Sequence, residues 1–177
     1  MKIKRGSTRV AIICGGFAFK FCRISPLLNI VKRGVKLLFR NKLSSLPLYA
    51  GMRWNYFTRG LKANIYEYQC WKTTKASFLV RTYASFYFLN IQKEECGQEL
   101  TQKEMSELVD AIGHKTKNID YVDPHCFAPD NFVKNDRGYR MVDYGDRNSG
   151  TLSLNEFIKQ SQREIASVLC NPKPPLD

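Results

Sequence analysis

The first acidic residue of this chain is Glu67. Fourteen of its 28 Lys and Arg residues precede that position and no Asp or Glu does, so a cation buried in the first third must find its carboxylate at Glu67 or beyond. Lys20 meets this constraint directly. It stands between aromatics in Phe17-Ala18-Phe19-Lys20-Phe21, on an alternating strand. A charge there is unfavourable without a partner, unless the residue sits at an edge or snorkels to water. Glu67 is the first carboxylate available, on the helix that follows.

The rest of the charge is less selective. The chain carries a net charge of +12, a field that attracts nucleic acid, anionic surfaces or a nucleoside triphosphate without choosing among them. With 44% hydrophobic and 25% charged residues over 177 positions, one globular domain is expected. Six cysteines lack CxxC spacing and there are only two histidines, which argues against a structural zinc site. The run Val10 to Ala18 is broken by Gly15-Gly16 and reads as a hairpin rather than a leader segment. Reduced thiols and a cytoplasmic location are the expectation.

Along the chain, strands are expected over Met1–Lys4, Arg9–Cys14 and Phe17–Ile24, with turns at Arg5-Gly6-Ser7-Thr8 and Gly15-Gly16. Pro26 ends the third strand, and a short amphipathic helix fits the basic, Leu-rich stretch up to Arg40. Trp54, Phe57, Leu61, Ile65 and Tyr68 recur at steps of three and four and predict a helix from about Gly51 to Trp71. Strands are expected over Ala76–Tyr83 and Ser85–Gln92, then a helix capped by Thr101 and ending near Gly113. A loop over 114–131, a hairpin with its turn at Asn135-Asp136-Arg137-Gly138, and a helix bearing Leu154, Phe157, Ile158, Ile165 and Leu169 complete the chain before a proline-rich tail at 171–177.

The most informative segment runs Asp123-Pro124-His125-Cys126-Phe127-Ala128-Pro129-Asp130-Asn131, then a hairpin, then Met141-Val142-Asp143-Tyr144-Gly145-Asp146. It resembles the protein-kinase-like superfamily, in which a loop with an Asp and then an Asn precedes a hairpin ending in Asp-Phe-Gly or Asp-Tyr-Gly. Residues 53–67, with Arg59-Gly60-Leu61-Lys62-Ala63-Asn64 ahead of Glu67, resemble a helix of short kinase-like proteins of phages and prophages.

The resemblance implies an α+β fold: an antiparallel N-terminal sheet with one helix over about 1–95 and a reduced helical lobe over 96–170, in one domain. It implies ATP and Mg2+ as cofactors, with Asn131 and Asp143 as metal ligands. Lys20, clamped by Glu67, would hold the phosphates, Gly6 and Ser7 would form a reduced phosphate loop, and Asp123 would be the base. The family spacing places the base five residues before the Asn, which is Cys126 here. Either three extra residues between His125 and Pro129 restore Asp123, or the base is lost and the chain is a nucleotide-binding pseudokinase. Only 32 residues follow Gly145 and no Ala-Pro-Glu sequence occurs, so a minimal kinase acting on one host protein fits better than a conventional peptide platform. A rival reading is a basic nucleic-acid-binding protein that stacks bases on Trp54, Tyr56 and Phe57.

Overall fold

The computed structural model describes residues 1–40, 43–116, 119–144 and 153–170. Gly145 and Asp146 of the Asp-Tyr-Gly segment and the 171–177 tail lie outside the described residues. The chain is a mixed α+β protein. Strands β1 (Lys2–Arg5), β2 (Arg9–Cys14), β3 (Phe17–Cys22), β4 (Thr82–Phe86) and β5 (Leu89–Lys93) form an antiparallel sheet in the order β1-β2-β3-β5-β4. A smaller antiparallel sheet joins β6 (Gln98–Glu99), β7 (Phe132–Asn135) and β8 (Gly138–Met141). Four helices accompany them among the described residues: α1 (Ser25–Leu38), α2 (Leu46–Thr74), α3 (Gln102–Lys115) and α4 (Leu154–Leu169).

The hairpin at Gly15-Gly16 forms as its residues require, since both glycines hold positive φ, 59° and 79°, between paired strands. The strand ends at Cys22, because Pro26 sits in the first turn of α1, where its missing N–H removes no hydrogen bond. The α1 helix is longer than its basic stretch predicts. Helix α2 also starts earlier than expected, with a proline in its first turn, and stops at Lys75 in a left-handed conformation.

The buried side of α2 differs from the expected one. Of Trp54, Phe57, Leu61, Ile65 and Tyr68, only Phe57 is buried; the packed stripe is Phe57, Gly60, Ala63, Asn64, Glu67 and Cys70. The reason is close approach. A Cβ at Gly60 would stand 2.7 Å from Cys22 Sγ and 2.9 Å from the Thr8 carbonyl oxygen, so the helix meets the sheet through small and polar residues.

The sheet itself is inverted in polarity. The β3 side chains alternate: Phe17 and Phe21 are exposed on the outer face, where Phe17 meets Tyr83 at 5.6 Å between ring centroids, while Lys20 and Cys22 are buried beneath. Lys20 pairs in register with Ala11 and Asn90, and Ala18 with Ile13 and Gln92, so the inner face of this sheet carries polar groups.

The apolar core lies instead in the second half, where Phe78, Leu100, Met105, Ile112, Phe132, Met141, Phe157, Ile158 and Leu169 pack around the end of α2. Helix α3 begins with a full capping box between Thr101 and Glu104, and it runs through Gly113 to Lys115 rather than ending there. The expected strand Ala76–Tyr83 begins only at Thr82. Its first half is a buried connection that ties the two sheets together: Val80 N–H donates to Met141 O (3.0 Å) and Met141 N–H to Phe78 O (2.9 Å). The β4–β5 turn therefore falls at Tyr87-Phe88 instead of Ala84. The expected 114–131 loop contains short 3-10 turns, among them Pro124–Phe127 and Pro129–Asn131.

Two glycines of α2 separate helix propensity from packing. Gly51 has nothing within 4 Å of a built Cβ, so Gly51→Ala should stabilise by up to ~1 kcal/mol. Gly60→Ala should destabilise, with roughly 1–3 kcal/mol of overpacking exceeding that gain. Urea unfolding of the two variants checks the opposite signs.

Candidate functional site

Glu67 has no exposed surface, yet five donors converge on it. Its Oε1 accepts from Arg9 Nη2 and Lys20 Nζ, both at 2.9 Å, and from the Tyr144 N–H at 3.3 Å. Its Oε2 accepts from Asn90 Nδ2 at 2.7 Å and Gln92 Nε2 at 3.1 Å. These donors come from β2, β3, β5 and the segment after β8, so one helical carboxylate gathers four distant pieces of chain. The α2 stripe explains how: Asn64 and Glu67 lie three residues apart on one side of the helix, and Asn64 Oδ1 accepts from Arg9 Nη1 at 3.3 Å.

Asp143 adds the second carboxylate. Arg9 Nη2 bonds its Oδ1, Lys20 Nζ lies 4.0 Å from that oxygen, and Lys20 also donates to the Val142 carbonyl at 2.7 Å. The two cations and two carboxylates balance in charge. Partial burial by itself would raise the pKa of Asp143, whose side chain is 43% exposed, but Arg9 and then Lys20 outweigh it and hold the carboxyl well below the usual range. Burial pushes the Glu67 carboxyl upward against the pull of Arg9 and Lys20. For Arg9, burial opposes the charge, and the Asp143 and Glu67 carboxylates more than compensate, raising its pKa. Tyr144 anchors the same segment from the other side, its hydroxyl donating to Val80 O at 2.7 Å beside Thr82 Oγ1.

Above this cluster opens a cavity of about 260 Å³. Because side chains alternate along a strand, β2 sends Arg9, Ala11 and Ile13 to it and β3 sends Ala18 and Lys20. Val80, Val133 and Val142 make further apolar wall, and Asp143, with 43% of its side chain exposed, stands on the wall as well. The strand side chains and the three valines give the cavity an apolar lining, and charged residues of both signs stand around it, with Lys4, Arg5, Lys93, Glu94, Glu95 and Glu99 on the wall besides Arg9, Lys20, Asp130 and Asp143.

The residues expected from the sequence divide in two. Lys20, Glu67 and Asp143 are brought together, and Gly6 borders the cavity. Gly6 nevertheless spends its N–H on the Arg9 carbonyl at 2.9 Å, and Ser7 is exposed and outside the cavity wall. Asn131 is tied to Asp143 through backbone, its carbonyl accepting from the Val142 and Asp143 N–H groups at 2.8 and 3.3 Å. Its Nδ2 donates to the carbonyls of His125 (2.8 Å) and Cys126 (3.2 Å). Asp123 is buried and caps the Pro124–Phe127 turn, Oδ1 accepting from the His125 N–H at 2.9 Å, while Oδ2 has no partner among the described residues. Neither Asp123 nor Cys126 reaches the cavity wall, whereas Asp130 does.

Among the described residues no three His, Cys, Asp or Glu side chains converge as a metal group. Asp143 and Asp130 both line the cavity and Asn131 does not; a magnesium ion there would take one or two carboxylates and complete its shell with phosphate and water oxygens.

Arg9, Asn90, Gln92 and Asp130 escape sequence reasoning. The available signal was alternation: Asn90 and Gln92 share the face of Lys20, but beside Leu89 and Ile91 they read as the solvent side of the strand.

Nothing among protein-family models, curated proteins or solved structures matches this chain. The kinase-like resemblance therefore rests on the sequence motifs alone.

The charge cluster predicts unequal losses on mutation. Glu67→Ala leaves Arg9 and Lys20 without their shared buried acceptor and should cost about 3–5 kcal/mol in urea unfolding. Lys20 is itself buried, so it contributes to folding as well as to the cavity; Lys20→Met should cost less than Glu67→Ala because Arg9 still neutralises Glu67. Equal losses would contradict the central place of Glu67.

Proposed function

We propose that the cavity binds ATP with magnesium and that the chain is a minimal kinase-like phosphotransferase acting on a protein acceptor. The observation that carries this reading is the convergence of Lys20, Glu67 and Asp143, from three distant segments, beside a cavity that Lys20 and Asp143 line. Ala11, Ile13, Ala18 and Val133 offer apolar surface for a planar base, and Arg5 and Lys93 on the wall add positive charge for phosphates to that of Lys20, which Glu67 and Asp143 already balance. Magnesium, held by Asp143 with Asn131 or Asp130, would supply neutralisation of phosphate charge. Positioning and charge then account for most of the catalysis. Asp123 would accept the acceptor hydroxyl's proton.

One observation favours a second reading, a nucleotide-binding regulator without turnover. Asp123 and Cys126 are both buried, and a base must come within hydrogen-bond reach of the proton it takes. Loop movement that frees Asp123 is required for transfer and is not required for binding.

Calorimetry and phosphate labelling test both levels. ATP should bind with magnesium at least about tenfold more tightly than without it, since a bound ion would offset the negative charge of the phosphates beside Asp143. Absent binding, or equal affinity in both conditions, overturns the nucleotide site. With radioactive ATP and host-cell extract, Asp123→Asn should abolish labelling at unchanged ATP affinity, and Cys126→Ser should be silent. Wild-type protein that binds ATP and labels nothing establishes the regulator.

A further inference from the structure

The α1 helix has three distinct sides. Pro26 and Leu37 are buried and Gly34 lies against Leu46, which seats one side on α2. A second side carries Leu28, Val31, Val35 and Leu38, extended by Ile24 before the helix and Phe39 after it; each is at least half exposed. Steps of four, three, four and three from Ile24 to Leu38 keep these five on one continuous stripe. The third side carries Lys32, Lys36 and Arg40, all exposed, with Arg33 alongside. No acidic residue occurs in α1 or anywhere before Glu67.

A soluble helix does not ordinarily face its longest apolar stripe to water. Here the stripe is aliphatic and contains no hydrogen-bonding side chain, and the exposed residues beside it on the third side are cations. Nucleic acid would take the cations but has no surface for a row of Ile, Val and Leu, because bases stack on flat aromatic or guanidinium planes. A folded protein partner would be expected to meet some polar group that fixes its register, and the stripe offers none. An apolar face beside a basic one is the composition of a helix that lies in the headgroup boundary of an anionic bilayer, the aliphatic side chains inserted and the cations reaching phosphate oxygens. None of the described helices is long and apolar enough to cross a membrane, so the contact is with the surface.

We infer that α1 docks the protein on an anionic membrane surface, with Ile24, Leu28, Val31, Val35 and Leu38 inserted and Lys32, Lys36 and Arg40 on the lipid headgroups. The inference stands apart from the nucleotide site, which faces the inner side of the sheet.

The test is co-sedimentation of the full chain with vesicles of phosphatidylcholine alone and of phosphatidylcholine mixed with phosphatidylserine. Wild-type protein should pellet with the mixed vesicles and remain in the supernatant with the neutral ones. Binding should weaken between about 0.1 M and about 1 M salt, as the Debye length falls from about 10 Å to about 3 Å. Val31→Ser with Val35→Ser should reduce partitioning about tenfold or more, from lost apolar burial. Lys32→Glu with Lys36→Glu should do the same through charge. All four positions are exposed, and far-UV circular dichroism verifies that each variant stays folded. Failure of wild-type protein to pellet with anionic vesicles overturns the inference, as does binding that survives the valine replacements. Binding to duplex DNA or RNA in place of vesicles, unchanged by the valine replacements, assigns the basic side to nucleic acid and also overturns it.

Discussion

A carboxylate with no exposed surface organises the N-terminal half of this protein. Placing Glu67 in the interior is unfavourable in isolation, and the unfavourable term is offset only when its oxygens are filled. Arg9, Lys20, Asn90, Gln92 and the Tyr144 N–H fill them, so β2, β3, β5 and the segment after β8 cannot separate from α2 without exposing or orphaning a charge. Hydrophobic burial does little at this junction. The large apolar cluster lies in the second half, and the first half is held to it through polar groups and the Phe78–Val80 crossing.

The inverted polarity of the five-stranded sheet follows from the same constraint. A face that must present Lys20, Asn90 and Gln92 to one carboxylate cannot also be the apolar face, so Phe17 and Phe21 turn outward. Helix α2 then needs a narrow stripe to come close, which Gly60 and Ala63 provide. The cavity forms where this polar face runs past its last helical cover, leaving Arg9, Lys20 and Asp143 beside Ala11, Ile13 and Ala18.

Much of this was legible from the residues. The absence of acid before Glu67 and the position of Lys20 between aromatics pointed to their pairing, and the double-glycine hairpin and the α4 stripe formed where their patterns placed them. Elsewhere local patterns misled for physical reasons. The aromatic and β-branched run Ala76–Val80 satisfied burial between two sheets rather than a strand ladder, and the apolar periodicity of α2 marked its partly exposed side. Arg9 was hidden because a cation at the start of an edge hairpin normally faces water; only the fold brings it to Glu67 and Asp143. The Asp123 loop was ambiguous in sequence and adopts a compact arrangement with Asp123 turned inward as a cap.

We propose that the groups gathered by Glu67 form the floor of a nucleotide site. Hydrogen-exchange mass spectrometry with and without magnesium and ATP is the decisive measurement, because peptides that cover β2, β3 and the Val142–Tyr144 segment report on that floor. Exchange in those segments should slow when both ligands are added together, with the outer helix α1 unchanged. Unaltered exchange in all three segments, or protection confined to α1 and the start of α2, would contradict it.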